Sequence, residues 1–484
     1  MGLVHIEQMD DALYPSDWNP DEAYPEYPFH GALSQKNDVY RMVRASLKGL
    51  GLDSINYGAP CWNPIGDLVK PGQTILIKPN WVIDVNRAHP GSQSGMECLV
   101  THPSIIRAVC DYCLIALKGK GRIVIGDAPV QDCNLDALFD VMGYPRLLQF
   151  YKGLGYQNIS FEDFRAYRSH MNRMRVIDGR VSVNEGVEID LGENSAQRDD
   201  LNGHYVQVAN YDRRITTAYH SAGRHVYSIS KAALDADLVI NLPKPKSHRL
   251  AGMTGAMKNL IGIACDKETL PHRMSGDSIS GGDSYREASW MKRCADWGLN
   301  KKTYYEHDGK IIRATLVWLW AGLFCVLSKR FAPDSFLLGS WYGNDTIWRT
   351  VVDLVHIMTY ADKEGVVTAS PCRRFLTVAD MVVVGEGNGP LRPDPKKVGA
   401  IVTGESLQEV DAVLCKMMGF PLEAIPLMRN VCSGLTSLAY EEPVVALGSV
   451  GESAFLSHID LPASWKITPH PNWIEAIADG KSSG

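Results

Sequence analysis

The chain predicts an α/β fold: a mostly parallel sheet with flanking helices, built from βαβ units, plus a small antiparallel hairpin insertion. Three observations predict it. Residues 74–77, 122–126 and 238–242 are apolar runs of strand length, rich in β-branched side chains, and unalternating runs of that kind suit strands covered on both faces. Between the first two, Thr101-His102-Pro103 opens a helical pattern that reaches about Leu117, so strand, helix and strand follow one another as parallel pairing with a right-handed crossover requires. Each apolar run also ends in proline and polar side chains, in Lys78-Pro79-Asn80, Asp127-Ala128-Pro129 and Pro243-Lys244-Pro245-Lys246. Functional groups in such folds collect beyond the carboxyl ends of the strands.

The elements follow in order. Residues 1–34 are acidic and rich in Pro and Tyr, and read as an N-terminal arm that packs irregularly over the body. The α/β core spans residues 35–428, beginning with a helical pattern over about 35–50. In the helix after Thr101, Pro103 occupies an early position and Thr101 or His102 caps it. Within the core, residues 165–210 change to short alternating runs broken by Gly and Asn, the pattern of an antiparallel hairpin insertion. A hydrophobic helix over 302–330 follows; its run 314–327 is shorter than the roughly 18 apolar residues that a spanning helix needs. That segment reads first as a buried or interface helix, then as a helix lying on a membrane surface through 314–328, helped by Trp318 and Trp320, and last as a true span. Ser406 and Glu409 form a capping box for a helix reaching about Met418, and residues 429–484 read as a peripheral C-terminal tail.

The chemistry centres on residues 238–263. Pro243 cannot donate to a ladder, so the strand stops there, and the two prolines favour extended geometry that points Lys244, Lys246 and His248 the same way. Thr254 or Gly255 can then cap a short helix carrying Lys258 and Asn259. These groups, with Lys78, Asn80 and His102, predict an anion site. Further along, Asp345, Arg349 and Asp353 share a helix face, and Gly385-Glu386-Gly387-Asn388-Gly389-Pro390 could offer backbone amides to an anion, with Gly387 and Asn388 as contacts. A capped, ion-paired helix and a plain glycine turn are the competing structural accounts.

Composition narrows the classes. The net charge is −6, with the basic residues spread out, which is no nucleic-acid footprint. Eleven cysteines without regular spacing fit reduced thiols, Cys110 and Cys113 fall inside an apolar helical pattern, and there is no four-cysteine iron–sulfur run. The glycines do not have the NAD spacing, and Met257 precedes Lys258 where an ATP P-loop has glycine. The start lacks a signal pattern, so the cytoplasm is the default, with membrane association through 314–328 added.

Several ordered motifs resemble those of a family. IKPNW at 77–81, THP at 101–103, GDAP at 126–129, PKPKSH at 243–248, MKNLIG at 257–262 and GEGNGP at 385–390 are similar to the bacterial and archaeal proteins grouped as domain of unknown function family 362. The resemblance covers roughly residues 74–420 and implies a shared α/β fold and site; many members carry an added iron–sulfur segment that this chain lacks.

The leading expectation is an enzyme acting on a small phosphorylated or carboxylated substrate. Lys78, Lys244, Lys246 and Lys258 would bind the anion, with Asn80, His102, Asn259 and Arg349 assisting. His248 would be the general acid or base because its ordinary pKa lies nearest neutrality, with Lys246 and Lys258 as further catalytic groups. Asp127, Asp345 and Glu386 offer hard oxygen ligands for a divalent cation, Mg²⁺ first. The alternative is a non-catalytic protein binding anions or a membrane surface in an envelope polysaccharide pathway.

Overall fold

The computed structural model describes residues 2–29, 33–172, 175–182, 184, 186–208, 211–448 and 452–479. Eleven strands form one sheet: β1 (Leu3–Gln8), β2 (Thr74–Lys78), β3 (Arg122–Asp127), β4 (Ile159–Asp163), β5 (Leu238–Asn241), β6 (Lys246–His248), β7 (Gly252–Thr254), β8 (Arg374–Asn388), β9 (Arg392–Gly404), β10 (Val444–Leu447) and β11 (Glu452–Phe455). The path across it is β11-β10-β1-β9-β8-β5-β2-β3-β4, and β6 pairs with both β7 and β8. From β8 to β4 every neighbour is parallel, while β8 and β9 form a long antiparallel pair that β1 extends.

Alternation decides what each strand touches. Ile75, Ile77, Ile123, Ile125 and Ile240 face one core with α1 (Asp38–Gly49) and α2 (Pro103–Leu117). Leu76, Val124 and Val239 face the other. That second core is completed by α6 (Ile347–Tyr360) and α7 (Leu407–Met418), numbered after α3 (Ala256–Asn259), α4 (Trp290–His307) and α5 (Ile311–Phe331). Each fully buried branched side chain contributes roughly 1.5–3 kcal/mol, so covering both faces dominates the folding energy. The helix ends follow the sequence: His102 Nδ1 accepts from the Ser104 amide at the start of α2, and Ser406 Oγ accepts from the Glu409 amide at the start of α7.

Three expectations change, while the antiparallel hairpin expected within 165–210 is present. Residues 3–8 are a sheet strand rather than irregular arm, because Val4 and Ile6 alternate inward between β9 and β10. The tail contributes β10 and β11 and buries Trp473 completely, so it is part of the body. Within 165–210, strands Tyr167–Asn172 and Arg175–Ser182 pair antiparallel, and Gly186–Asp190 pairs instead with Arg224–Ser230; residues 173–174, 183, 185 and 209–210 of that stretch lie outside the described residues. The hydrophobic segment is two helices split at Gly309, whose φ of 69° turns the chain back. The second, α5, has 21 residues and is long and apolar enough to cross a membrane, yet only Ala314, Ala321, Phe324 and Ser328 along it are buried.

Candidate functional site

The carboxyl ends of β2, β3 and β5 hold a connected polar layer. Lys78, fully buried, pairs with Asp127 at 2.8 Å and donates to the Pro79 carbonyl at 2.6 Å. The other Asp127 oxygen accepts from the Trp81 amide at 2.6 Å, so this carboxylate ties the turn after β2 to the end of β3. Gly262 lies against it: a Cβ there would sit 1.8 Å from Asp127 Oδ1. One level out, Asn80 donates to Asn259 at 2.8 Å, Asn259 donates to Asn241 at 2.8 Å, and Asn241 donates to the Ala256 carbonyl at 2.9 Å. Lys246 reaches the same layer, donating to Asn80 Oδ1 at 2.8 Å and to the Leu99 carbonyl. Lys78, Asn80, Asp127, Lys246 and Asn259, from four of the sequence motifs, therefore do converge.

Lys244 stands in a second buried cluster. It pairs with Asp380 at 2.7 Å and donates to Tyr14 Oη at 2.6 Å and the Val383 carbonyl at 3.0 Å. All three ammonium donors are used. Tyr14 donates back to Asp380 at 2.6 Å and stacks on His102, whose amide donates to Asp380 at 3.0 Å. Burial, and then the Lys244 charge, hold His102 well below the ordinary histidine range, so it is a neutral cap. Asp380 and Tyr14 were not singled out from sequence; a lone carboxylate inside the apolar run of β8 was the available signal, since a buried charge demands a partner.

Beyond β6 the pattern reverses, and cations lack counter-ions. β6 and β7 pair with His248 opposite Gly252, leaving Arg249, Leu250 and Ala251 as the turn. His248 Nδ1 accepts from the Leu250 and Ala251 amides, both at 3.1 Å, which leaves the ring proton on Nε2. Burial, then Lys258, Arg249, His272 and Lys246, press its pKa well below the usual value. His248 is thus a neutral hydrogen-bond donor, and its expected titration near neutrality is lost to burial. Gly255 is the N-cap of α3, one of the two residues expected there, and because it has no side chain Asp411 of α7 satisfies the open amides, accepting from Ala256 and, at 3.0 Å, from Met257. Lys258 stands in this short turn at the rim of a small cleft that Met253, Asp411 and Met428 also line.

Among the described residues, neither Lys258 nor the Arg249 guanidinium has a hydrogen-bond or ion-pair partner. Burial brings the Lys258 amine down to about 7, with Lys267 adding to the effect. Lys246 is brought to about 7 by burial as well, but its donors are engaged. Arg249 is lowered by burial and then by Arg273 and Arg87. His272 is brought to about 3 by burial, with Lys258, Lys267 and Arg249 also lowering it, and donates from Nδ1 to the Leu270 carbonyl at 2.8 Å. The C-terminal segment closes over this cluster, with Trp473 donating to the Arg249 carbonyl at 2.8 Å. Arg249 and His272 are not among the sequence candidates, because neither sits at the end of an apolar run that would place it.

The remaining candidates are engaged elsewhere. Asp345 pairs with Arg198 and, at 2.9 Å, with Arg349, and accepts from Trp348 at 2.8 Å; Arg349 also donates to the Ala196 carbonyl at 2.7 Å. Glu386 accepts from the Thr468 amide at 2.8 Å, Gly387 O accepts from Ser247 at 2.8 Å, and Asn388 is exposed. The glycines of GEGNGP serve close packing, since a Cβ on Gly389 would sit 1.9 Å from the Ser247 carbonyl oxygen. Asp127, Asp345 and Glu386 do not meet, and among the described residues no group of three or more His, Cys, Asp or Glu side chains could hold a metal ion. A larger cavity of about 280 Å³ lies between the arm and α1, but its Arg41 and Arg44 are paired with Asp21 and Glu26.

No solved structure matches the chain. It is 22% identical over 364 residues to Thylakoid-associated protein sll1697 of Synechocystis sp., covering 75% of this chain and 68% of that protein. The family described as Domain of unknown function (DUF362) matches residues 75–184 and 193–416. These spans take in every motif of the strand-end layer together with Arg249, Lys258 and His272, and the chain belongs to the DUF362 family.

Proposed function

We propose that the protein is an enzyme acting on a small anionic substrate, phosphorylated or carboxylated, at the cluster of Arg249, His248 and Lys258. The observation that carries this reading is that Lys258 and Arg249 are the cations left without a partner beside a layer where Lys78, Lys244 and Lys246 are all engaged. Both are only partly buried, so an anion can reach them from solvent and would meet two cations that, among the described residues, no carboxylate neutralises. The anion would be gripped by Arg249, whose planar fork suits phosphate and carboxylate. His248 would donate from Nε2 to negative charge developing on the substrate. Lys258, about half neutral near pH 7, would act as base or nucleophile. The cleft beside Lys258 has room for about one water molecule, so substrate entry requires its wall to move.

A thermal-shift screen of phosphorylated metabolites, nucleotides and carboxylates tests this. A ligand at about a hundred times its dissociation constant stabilises a fold by roughly 2.7 kcal/mol. The shift should disappear in Lys258→Met and Arg249→Met. A hit that survives both substitutions, or no hit from any anion, would remove the proposal.

A second reading is work at a membrane surface. It is favoured by the outward apolar face of α5 and by similarity to a protein named for thylakoid association.

A further inference from the structure

Resting on that second reading and specifying its geometry, we infer that α5 lies in the plane of a lipid bilayer, sunk into one leaflet, and does not cross it. Two sets of residues on α5 lie on opposite sides. The buried ones, Ala314, Ala321, Phe324 and Ser328, pack against α4, where a Cβ on Gly298 would come 2.9 Å from Ala321 Cβ. The opposite stripe is Ile312, Leu316, Leu319, Leu323 and Val326, each more than half exposed. Its spacing of four, three, four and three keeps it on one side of a helix. Trp318 and Trp320 flank the stripe, at 38% and 46% exposure. Between Arg313 and Ser328 the only polar side chain is Thr315.

A protein partner is the weaker occupant. A helix that docks on another helix keeps a polar rim around its seam, and α5 has none along its length. Lipid tails cover such a surface without one. The ends supply the rest: exposed Arg313 at one end and Lys329 and Arg330 at the other would meet anionic headgroups, and tryptophans at this level match the interfacial preference of indole.

The in-plane orientation follows from how α4 is fastened. Lys292 pairs with Asp334 at 2.6 Å, Asp296 takes Arg273 at 3.1 Å and Arg213 at 3.5 Å, and Tyr304 lies 4.2 Å beneath the Arg214 guanidinium. The Lys292 pair ties α4 to the chain just past α5, whereas the bonds of Asp296 and Tyr304 reach the body, so the second half of α4 and the part of α5 packed on it are held along the body. For α5 to cross a bilayer, α4 and its ion pairs would have to enter hydrocarbon or tear free.

The test uses the full chain and vesicles of one part phosphatidylglycerol to two parts phosphatidylcholine. Wild-type protein should float with the vesicles, and its tryptophan fluorescence should be quenched by lipids brominated near the headgroup. A Leu316→Glu/Leu319→Glu/Leu323→Glu variant should stay in the aqueous phase while unfolding at the wild-type temperature. Wild-type protein that ignores the vesicles, whether as monomer or as a dimer burying this face, would overturn both the membrane reading and the inference. Flotation together with cleavage after Lys310 by trypsin enclosed in the vesicle lumen would overturn the in-plane geometry alone, since the α4–α5 turn would then have crossed.

Discussion

At the residue scale the lysines divide by their partners. Lys78 and Lys244 are buried in ion pairs, so Lys244→Met leaves Asp380 buried and uncompensated and should cost about 3–5 kcal/mol in urea unfolding. Lys258 has no such partner, and Lys258→Met should leave stability unchanged or raise it; a loss as large as that of Lys244→Met would show an anion-free ion pair there. The pH dependence carries the same mark. Lys246 and Lys258 titrate at about 7 and Lys267 at about 8 in the fold, against about 10.4 in an unfolded chain. Between about pH 7 and pH 10 the unfolded state therefore holds more protons, and stability should rise with pH by at most roughly 1.4 kcal/mol per unit for each group. Lys258→Met should flatten that rise, and an identical slope in both proteins would count against its depressed pKa. The lysines were legible in the sequence as residues at strand ends, because prolines mark where each strand stops. Which of them keep a free charge was not, since Tyr14 and Asp380 come from distant parts of the chain.

At the scale of elements, the hairpin of β6 and β7 reaches the sheet through glycine. Lys246 pairs with Gly385, and Gly389 lies under Ser247. Gly389→Ala would drive a methyl group into a backbone carbonyl, and the loss should exceed about 2 kcal/mol. Gly322 in α5 has nothing within 4 Å of where a Cβ would be, so Gly322→Ala should be neutral or stabilising by up to about 1 kcal/mol. Equal effects in chemical denaturation would contradict the packing account. The G-x-G-x-G spacing reads as amides offered to an anion or as a plain glycine turn, and the structure uses Gly385 and Gly389 for close approach to a neighbouring strand. α5 shows the opposite gap in legibility: its apolar content was plain, but counting only 314–327 left out Ile311, Ile312 and Phe331, and nothing in the sequence told which face α4 would cover.

On the scale of the whole molecule, the parallel half of the sheet could be read from its βαβ spacing. The antiparallel half could not, because β1, β10 and β11 are short and belong to segments rich in turn residues. Their pairing has a consequence for how the chain reaches this state. Val4 lies opposite Gly404 on one side and Val445 on the other, so this strand finds its neighbours only after residues 392–447 have been made. Synthesis at about 5–20 residues per second holds that apolar segment unpaired for tens of seconds, and contacts of such long range slow the closing step itself. Fragments ending before residue 392 should remain dye-binding and protease-sensitive, and adding residues 392–447 should restore cooperative unfolding. Residues 3–8 and 444–447 thus work as a clasp, fastened only once both stretches have been made.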